Sequence, residues 1–380
     1  MTPETHIPST KPSATPPVTP SVTPQAIAIS MGDPGGIGPE VVVASLADPR
    51  SRCSDGGNCG ETGSRFIVFG HAGTLNNAAR TLGLERDWAK RLENPAQPGS
   101  VRIIETDPTP TDTDFPPQPT EQGGHLSFQW VNAAIDAALL PPNHPDHTHA
   151  LVTAPINKAA WSKAGHTIYP GHTELLADRC NRTRYAMMFD SPRLRVVLVT
   201  THIPLATVAD QLTTDRILET IELGAHACTQ LGVAKPRVAV LGLNPHAGEQ
   251  GLLGKEDLDV ISPAITSAQS LGINATGPHP ADTLFHAAAN GQYDLVVAMY
   301  HDQGLIPVKL LDRDNAVNLT VGLPIVRTSP DHGTAYDIAG KGVANPGSMR
   351  AALRLAIRMS ANPASTPSGS QQSAPDAKTP

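Results

Sequence analysis

The chain has 380 residues, of which 39% are hydrophobic and 17% charged, and a formal net charge of -7 at pH 7; this fits a globular protein of roughly two domains with ample core. The acidic balance, without a long basic run, argues against general nucleic-acid or membrane affinity, and no apolar stretch approaches the ~18–20 residues that span a bilayer. Cys53, Cys59, Cys180 and Cys228 are too few for a disulfide scaffold, and with no charged start and apolar middle at the N-terminus the expected location is cytoplasmic.

Residues 1–24 are dominated by Pro, Thr and Ser, and 361–380 repeat that bias. Neither segment holds enough apolar surface to offset the entropy of ordering, so both are expected to be disordered tails around a folded unit of 25–360. That unit opens with a strand, "AIAIS", then "SMGDPGGIGPE" (30–40) and a helical "VVVASLA". Strand, glycine-rich turn and helix suggest a dinucleotide fingerprint, but the glycines fall as GxxGGxG rather than GxGxxG. Pro39 suits a first helical turn, and no acidic residue closes a second strand ~20 positions on. A tight turn at the floor of a cleft is the better reading, with Asp33 a candidate to face ligands.

Further along, "RFIVFG", "VRIIE" and "ALVTA" read as strands, 126–139 as a helix, and 51–64, 106–124 and 141–149 as loops. Cys53 and Cys59 sit in the first loop without a CxxC partner, and His144, His147 and His149 decorate the last. "YPGHTELLADR" then sets Gly171, His172 and Thr173 before a helical run with Glu174 in its first turn. Backbone N–H groups at a helix start, with Thr and His side chains, make either an anion site or a plain capping turn.

Three later strands, "LRVVLVTT", "RVAVLGL" and "DLVVAMY", run into His202, into Asn244, His246 and Glu249, and into His301 and Asp302. Helices are expected over 214–231, 255–270, 303–311 and 347–359. Val- and Ile-rich strands separated by helices indicate an α/β fold with largely parallel sheets, in which ligands bind beyond the strand C-termini. Any one such histidine is most simply a strand cap. Three in the same context point to a divalent metal, with a coordination position left open for substrate. Lys309, Asn318 and Arg327 follow at nine-residue intervals, too far apart for one helix face. Lys309 and Arg327 lie in apolar runs, which favours phosphate or carboxylate recognition over solvated charge. "SPDHGTAYDIAGKG" places Asp331 to Thr334 before an expected helix, where they could hold a cofactor phosphate or ribose.

The ordered set "MGDPGGIGPE", "GHTELLAD", "TTHIPL", "GLNPHAGE", "YHDQGLIPVK" and "VNLTVGLPIVRTSPDHGTAYDIAG" resembles the 4-hydroxythreonine-4-phosphate dehydrogenase family of vitamin B6 biosynthesis over about residues 25–360. The resemblance implies two α/β domains around a cleft, built like the isocitrate and isopropylmalate dehydrogenases, and a homodimer. It implies that His202, His246 and His301 bind a divalent zinc, magnesium or cobalt ion, with the His301 equivalent contributed by the partner subunit. By the same likeness His172, Thr173, Lys309, Asn318 and Arg327 hold a phosphorylated small-molecule substrate. Asp302, beside a metal histidine, is the candidate catalytic residue, orienting a ligand or relaying a proton. The implied reaction is oxidation of 4-phosphooxy-L-threonine at C3 by NAD or NADP, then decarboxylation to 3-amino-2-oxopropyl phosphate. The tails and the 51–64 loop depart from the family's outline. Relatives acting on 4-phospho-D-threonate or 4-phospho-D-erythronate form the first alternative, because "GHTELLAD" and "HDQGLIPVKLL" look close to that branch. A three-histidine metallohydrolase needing no nicotinamide and a noncatalytic metal-binding scaffold are the alternatives from other classes.

Overall fold

The computed structural model describes residues 25–47, 63–94, 99–106 and 113–361. The expected disorder of the tails, save for Ala361, and the Cys53 and Cys59 loop lie outside the described residues. One continuous eleven-stranded sheet organises the chain, in the order β3-β2-β1-β4-β11-β10-β5-β6-β9-β7-β8. The strands are β1 (Ala26–Ser30), β2 (Arg65–Phe69), β3 (Val101–Ile104), β4 (Ala150–Thr153), β5 (Ala186–Asp190), β6 (Arg195–Leu198), β7 (Val238–Leu241), β8 (Ala275–His279), β9 (Leu295–Ala298), β10 (Val317–Val321) and β11 (Val326–Pro330). Helices cover both faces, and the apolar strand runs are buried almost throughout, as expected of a sheet covered on both sides.

The seven strands expected from apolar runs are all present. The other four are β5, β8, β10 and β11. β10 and β11 carry Asn318, Thr320, Arg327 and Ser329 on central strands, so their polar residues hide the apolar pattern. β8 contains Gly277 and Pro278 and is an edge strand, where a proline is tolerated. The expected parallel sheet also gains an antiparallel centre. β11 with β10, β10 with β5, and β5 with β6 all pair antiparallel. Three successive reversals leave the block β6-β9-β7-β8 running opposite to the block containing β1, β4 and β11.

Helix boundaries shift in two informative places. The helix expected at 126 starts at Glu121, inside the expected 106–124 loop, because Thr120 caps it by accepting the Gly123 N–H at 2.9 Å. The helix expected at 303 starts at His301, so His301 and Asp302 occupy a first helical turn. The segment after β11 is a run of turns and bends rather than the helix expected to follow Asp331 to Thr334.

Candidate active site

Because β6, β9 and β7 are parallel neighbours in the sheet, the segments that leave their C-terminal ends emerge side by side. Hydrogen bonds lace those ends together. Thr200 donates its hydroxyl to the Met299 carbonyl at 2.7 Å. The buried Gln303 amide accepts the Met299 N–H at 2.7 Å and donates to the Gly242 carbonyl at 2.8 Å. One side chain thus ties the strand end before His301 to the strand end before His246.

His202 and His301 lie together, with ring centroids 5.5 Å apart and planes tilted by 44°. Asp302 Oδ1 sits 2.7 Å from His301 Nδ1, which places the ring proton on Nδ1 and leaves Nε2 to accept or ligate. Partial burial of the His202 ring lowers its pKa, helped by the positive charge of Lys158 and by His301 and opposed by Glu174. Two adjacent imidazoles, one held neutral and one oriented by a carboxylate, suit a borderline divalent cation. His246 stands apart. Among the described residues of the single chain, no three His, Cys, Asp or Glu side chains are placed to hold one ion. The resemblance assigns the crossing ligand to the His301 position, whereas here His301 already pairs with His202.

His246 belongs to an unusual backbone. His246, Ala247, Gly248, Glu249 and Gln250 all have left-handed φ values, of 53°, 53°, 78°, 43° and 57°. Each L-residue in that region costs ~1–2 kcal/mol, so the surrounding structure must hold the turn.

A second group is built more deeply. Arg327 is 3% exposed. Its Nε and Nη2 donate to Thr153 Oγ1 at 3.2 and 2.7 Å, and Nη1 donates to Thr320 Oγ1 at 3.1 Å. Among the described residues no carboxylate lies within ion-pair distance of it, although Glu174 is near enough to favour its charge. Burial still pulls its pKa down to about 10. The antiparallel pairing of β10 and β11 sets Asn318 opposite Ser329, and alternation along a strand puts Asn318, Thr320, Arg327 and Ser329 on one face.

His172 opens the helix His172–Arg179, its ring edge-on to Trp161 at 5.5 Å. Burial pushes its pKa well below the ordinary value, and Arg327 and Lys158 add to the effect. Thr173 and Glu174 line a cavity of ≈ 250 Å³ with Thr201 and Arg216 among the other walls, which links this helix to the segment carrying His202. Lys309 Nζ pairs with Asp331 Oδ1 at 3.2 Å. Burial raises the Asp331 carboxyl, while Lys309, His332 and His301 pull it down. His172 Nε2, Asn318 Oδ1, Asp331 Oδ2 and His332 Nε2 are buried without a protein partner, which leaves unspent hydrogen-bonding capacity in this group.

The glycine-rich turn plays a supporting part. Gly32 has φ +77°, and a Cβ there would sit 2.3 Å from the Pro155 carbonyl oxygen; a Cβ on Gly36 would meet Thr334 Cβ at 2.9 Å. The glycines therefore let the chain pack against its own backbone. Asp33 is 1% exposed, accepts the Gly35 N–H at 2.9 Å and accepts the Tyr336 hydroxyl at 2.8 Å. It faces inward and pins the turn after β11, so the expectation that it meets ligands is corrected. Lys158 and Thr153 escaped the sequence reading. Neither sits in a recognisable motif, and only the fold sets them beside His172 and Arg327.

The family model described as "PdxA: Pyridoxal phosphate biosynthetic protein PdxA" matches residues 62–356. A 4-hydroxythreonine-4-phosphate dehydrogenase of Desulforapulum autotrophicum is 43% identical over 335 residues, 87% of this chain and 94% of that protein. A D-threonate 4-phosphate dehydrogenase of Pectobacterium atrosepticum is 41% identical over 338 residues, covering 88% and 98%. Among solved structures, 4-hydroxythreonine-4-phosphate dehydrogenase from Klebsiella pneumoniae aligns with a TM-score of 0.73 at 39% identity, over 89% of this chain and 99% of that one.

Proposed function

The chain belongs to the PdxA family, and from that premise we propose that it is an oxidoreductase acting on the C3 hydroxyl of 4-phosphooxy-L-threonine. The oxidised product then decarboxylates to 3-amino-2-oxopropyl phosphate. The observation that carries this reading is Arg327, a guanidinium 3% exposed and held by two threonine hydroxyls, with no carboxylate at ion-pair distance among the described residues. A buried cation is costly when unpaired, and an anionic substrate group completes its coordination with charge-assisted bonds. Thr173, at the helix start, and Asn318, with an unspent Oδ1, fix the substrate's orientation. Lys309, steadied by Asp331, adds a second positive charge. His332 and Asp331, with unsatisfied buried atoms, are the candidates to hold the nicotinamide nucleotide, NAD or NADP.

His202 and His301, with His246, are the proposed ligands of a divalent zinc, magnesium or cobalt ion. Bound there, the cation supplies Lewis acidity to the reacting oxygen, and the nicotinamide ring supplies hydride acceptance. Asp302 holds the proton on His301 Nδ1 and so presents Nε2 in one tautomer; we assign it this orienting part. A homodimer completes the set. Ile203, Leu205, Leu252, Ile306 and Leu310 are exposed at 37%, 69%, 80%, 64% and 82%. All lie within nine residues of one of the three histidines in sequence, an apolar rim suited to burial against a second copy. The His202–His301 pair within one chain favours His246 as the ligand that crosses. A folded unit of 25–360 in two interleaved α/β subdomains and a cytoplasmic location complete the proposal.

The second reading is 4-phospho-D-threonate or 4-phospho-D-erythronate oxidation at the same site, favoured by the D-threonate 4-phosphate dehydrogenase among the relatives. Reduced nicotinamide absorbance, followed with each substrate and with NAD and NADP in parallel, tests both. Reduction with 4-phosphooxy-L-threonine supports the first reading, and reduction only with the sugar acids transfers the assignment to the second. Phosphate release without nicotinamide would place the chain among metallohydrolases.

A further inference from the structure

We propose that Asp257 is a positioning residue for His246: its buried carboxylate holds the left-handed turn from which that imidazole is presented. The inference rests on the metal reading of His246. Asp257 is 0% exposed. Its Oδ1 accepts the Leu243 N–H at 2.8 Å, and its Oδ2 accepts the Asn244 N–H at 3.2 Å and the Asn244 side-chain amide at 2.9 Å. Glu256 Oε2 accepts from the same amide at 2.7 Å. Two carboxylates therefore grip the two residues that lead from β7 into the turn.

The geometry leaves no slack around that grip. A Cβ on Gly242 would lie 2.5 Å from Asp257 Oδ1, and one on Gly254 would lie 2.5 Å from Asn244 Nδ2. Asp257 also opens a π-helical turn, Asp257–Ile261, a backbone device common at functional sites. The turn also carries backbone bonds of its own: Ala247 N–H donates to the Asn244 carbonyl at 3.1 Å, Leu252 N–H to the Glu249 carbonyl at 3.2 Å and Leu253 N–H to the Gly248 carbonyl at 3.1 Å. Four of the five left-handed residues are not glycine, so the turn carries strain that its surroundings must hold. Once the grip is lost, the turn drifts toward right-handed geometry and His246 moves with it. A buried carboxylate whose named partners are amide N–H groups is an expensive way to hold a loop whose only task is connection.

The test is calorimetric titration of the purified full-length chain with Zn²⁺ and Co²⁺, alongside metal-free melting curves, for Asp257→Asn, Asp257→Glu, Asn244→Ser and His246→Ala. Asp257→Asn should weaken metal binding about 10–100-fold, the range for outer partners of metal ligands. Asp257→Glu should recover part of that loss, and Asn244→Ser should cost less. In Asp257→Asn the Leu243 and Asn244 amides should also lose hydrogen-exchange protection. A purely structural Asp257 would lower the melting temperature and leave the metal affinity of the folded protein unchanged. Wild-type affinity in folded Asp257→Asn, with affinity lost in His246→Ala, overturns the inference alone. If Asp257→Asn does not fold, wild-type affinity in Asn244→Ser overturns it in the same way. Wild-type affinity in His246→Ala overturns the metal reading and the inference together.

Discussion

The anion group around Arg327 and the histidine group around His202 and His301 are built in contrasting ways. Arg327, His172 and Asn318 sit on or against central elements, with Arg327 fixed by Thr153 and Thr320 before any substrate arrives. His202 and His246 lie on exposed loops past strand ends, and the single chain brings only His202 and His301 together. The first is preorganised by one chain at a cost in burial. The second is incomplete among the described residues of one chain, and exposed apolar side chains lie within nine residues of its histidines in sequence. On the proposed reading, recognition of the substrate's charge is an intramolecular property, whereas assembly of the metal site depends on association.

The largest effect that sharpens this contrast should come from Arg327→Met. Loss of charge-assisted bonds worth about 1.5–3 kcal/mol each should lower kcat/KM for a phosphorylated substrate about 100-fold or more. The same change removes an uncompensated buried charge, so the melting temperature should hold or rise. A fall in both would mean that Arg327 is structural. Next in size is Leu310→Asp at the apolar rim. It should shift the chain toward monomer in sedimentation velocity and reduce activity and metal content about tenfold at micromolar protein, while Arg327-dependent binding of a phosphorylated ligand persists. Loss of both functions in parallel would break the contrast.

Asp302→Asn should lower metal affinity about tenfold, with little change in the KM for substrate. The smallest effect is on pH. His172, His202 and His332 have folded-state pKa values below the ordinary 6.5, each driven first by burial. As pH falls through 6.5 the unfolded chain takes up protons that the folded chain refuses, so stability present above 6.5 is lost progressively below it. Between pH 7.5 and 5.5 the melting temperature should fall by about a few degrees, mostly through His172, the most deeply enclosed. His172→Gln should flatten that slope.

The two regions also differ in how far the sequence discloses them. His202, His246 and His301 announce themselves because each follows a Val- and Ile-rich run whose end is predictable. What becomes of them in the fold is not legible: the meeting of His202 and His301 depends on β6 and β9 becoming neighbours, and the separate placing of His246 on a left-handed turn that no residue pattern marks. Lys309, Asn318 and Arg327 are visible as polar residues in apolar surroundings. The strands carrying Asn318 and Arg327 were hidden for the same reason, since site residues interrupt the alternation that identifies a strand. Asp33 shows the converse. The glycine-rich turn looks like a ligand loop, yet its glycines serve close packing and its carboxylate meets Tyr336. Lys158, Thr153 and Asp257 gain meaning only from contacts more than ten residues away.

The central claim, that the metal end is completed by a second copy, is tested most directly by subunit mixing. His246→Ala and His301→Ala chains, each inactive alone, are unfolded together and refolded at equal concentration. Random pairing puts half the chains in mixed dimers with one intact site each, so about a quarter of wild-type activity should return. Mixing His202→Ala with His301→Ala should restore none, because those two ligands come from one chain. No recovery from the first mixture, with mixed dimers verified by mass, would contradict the account.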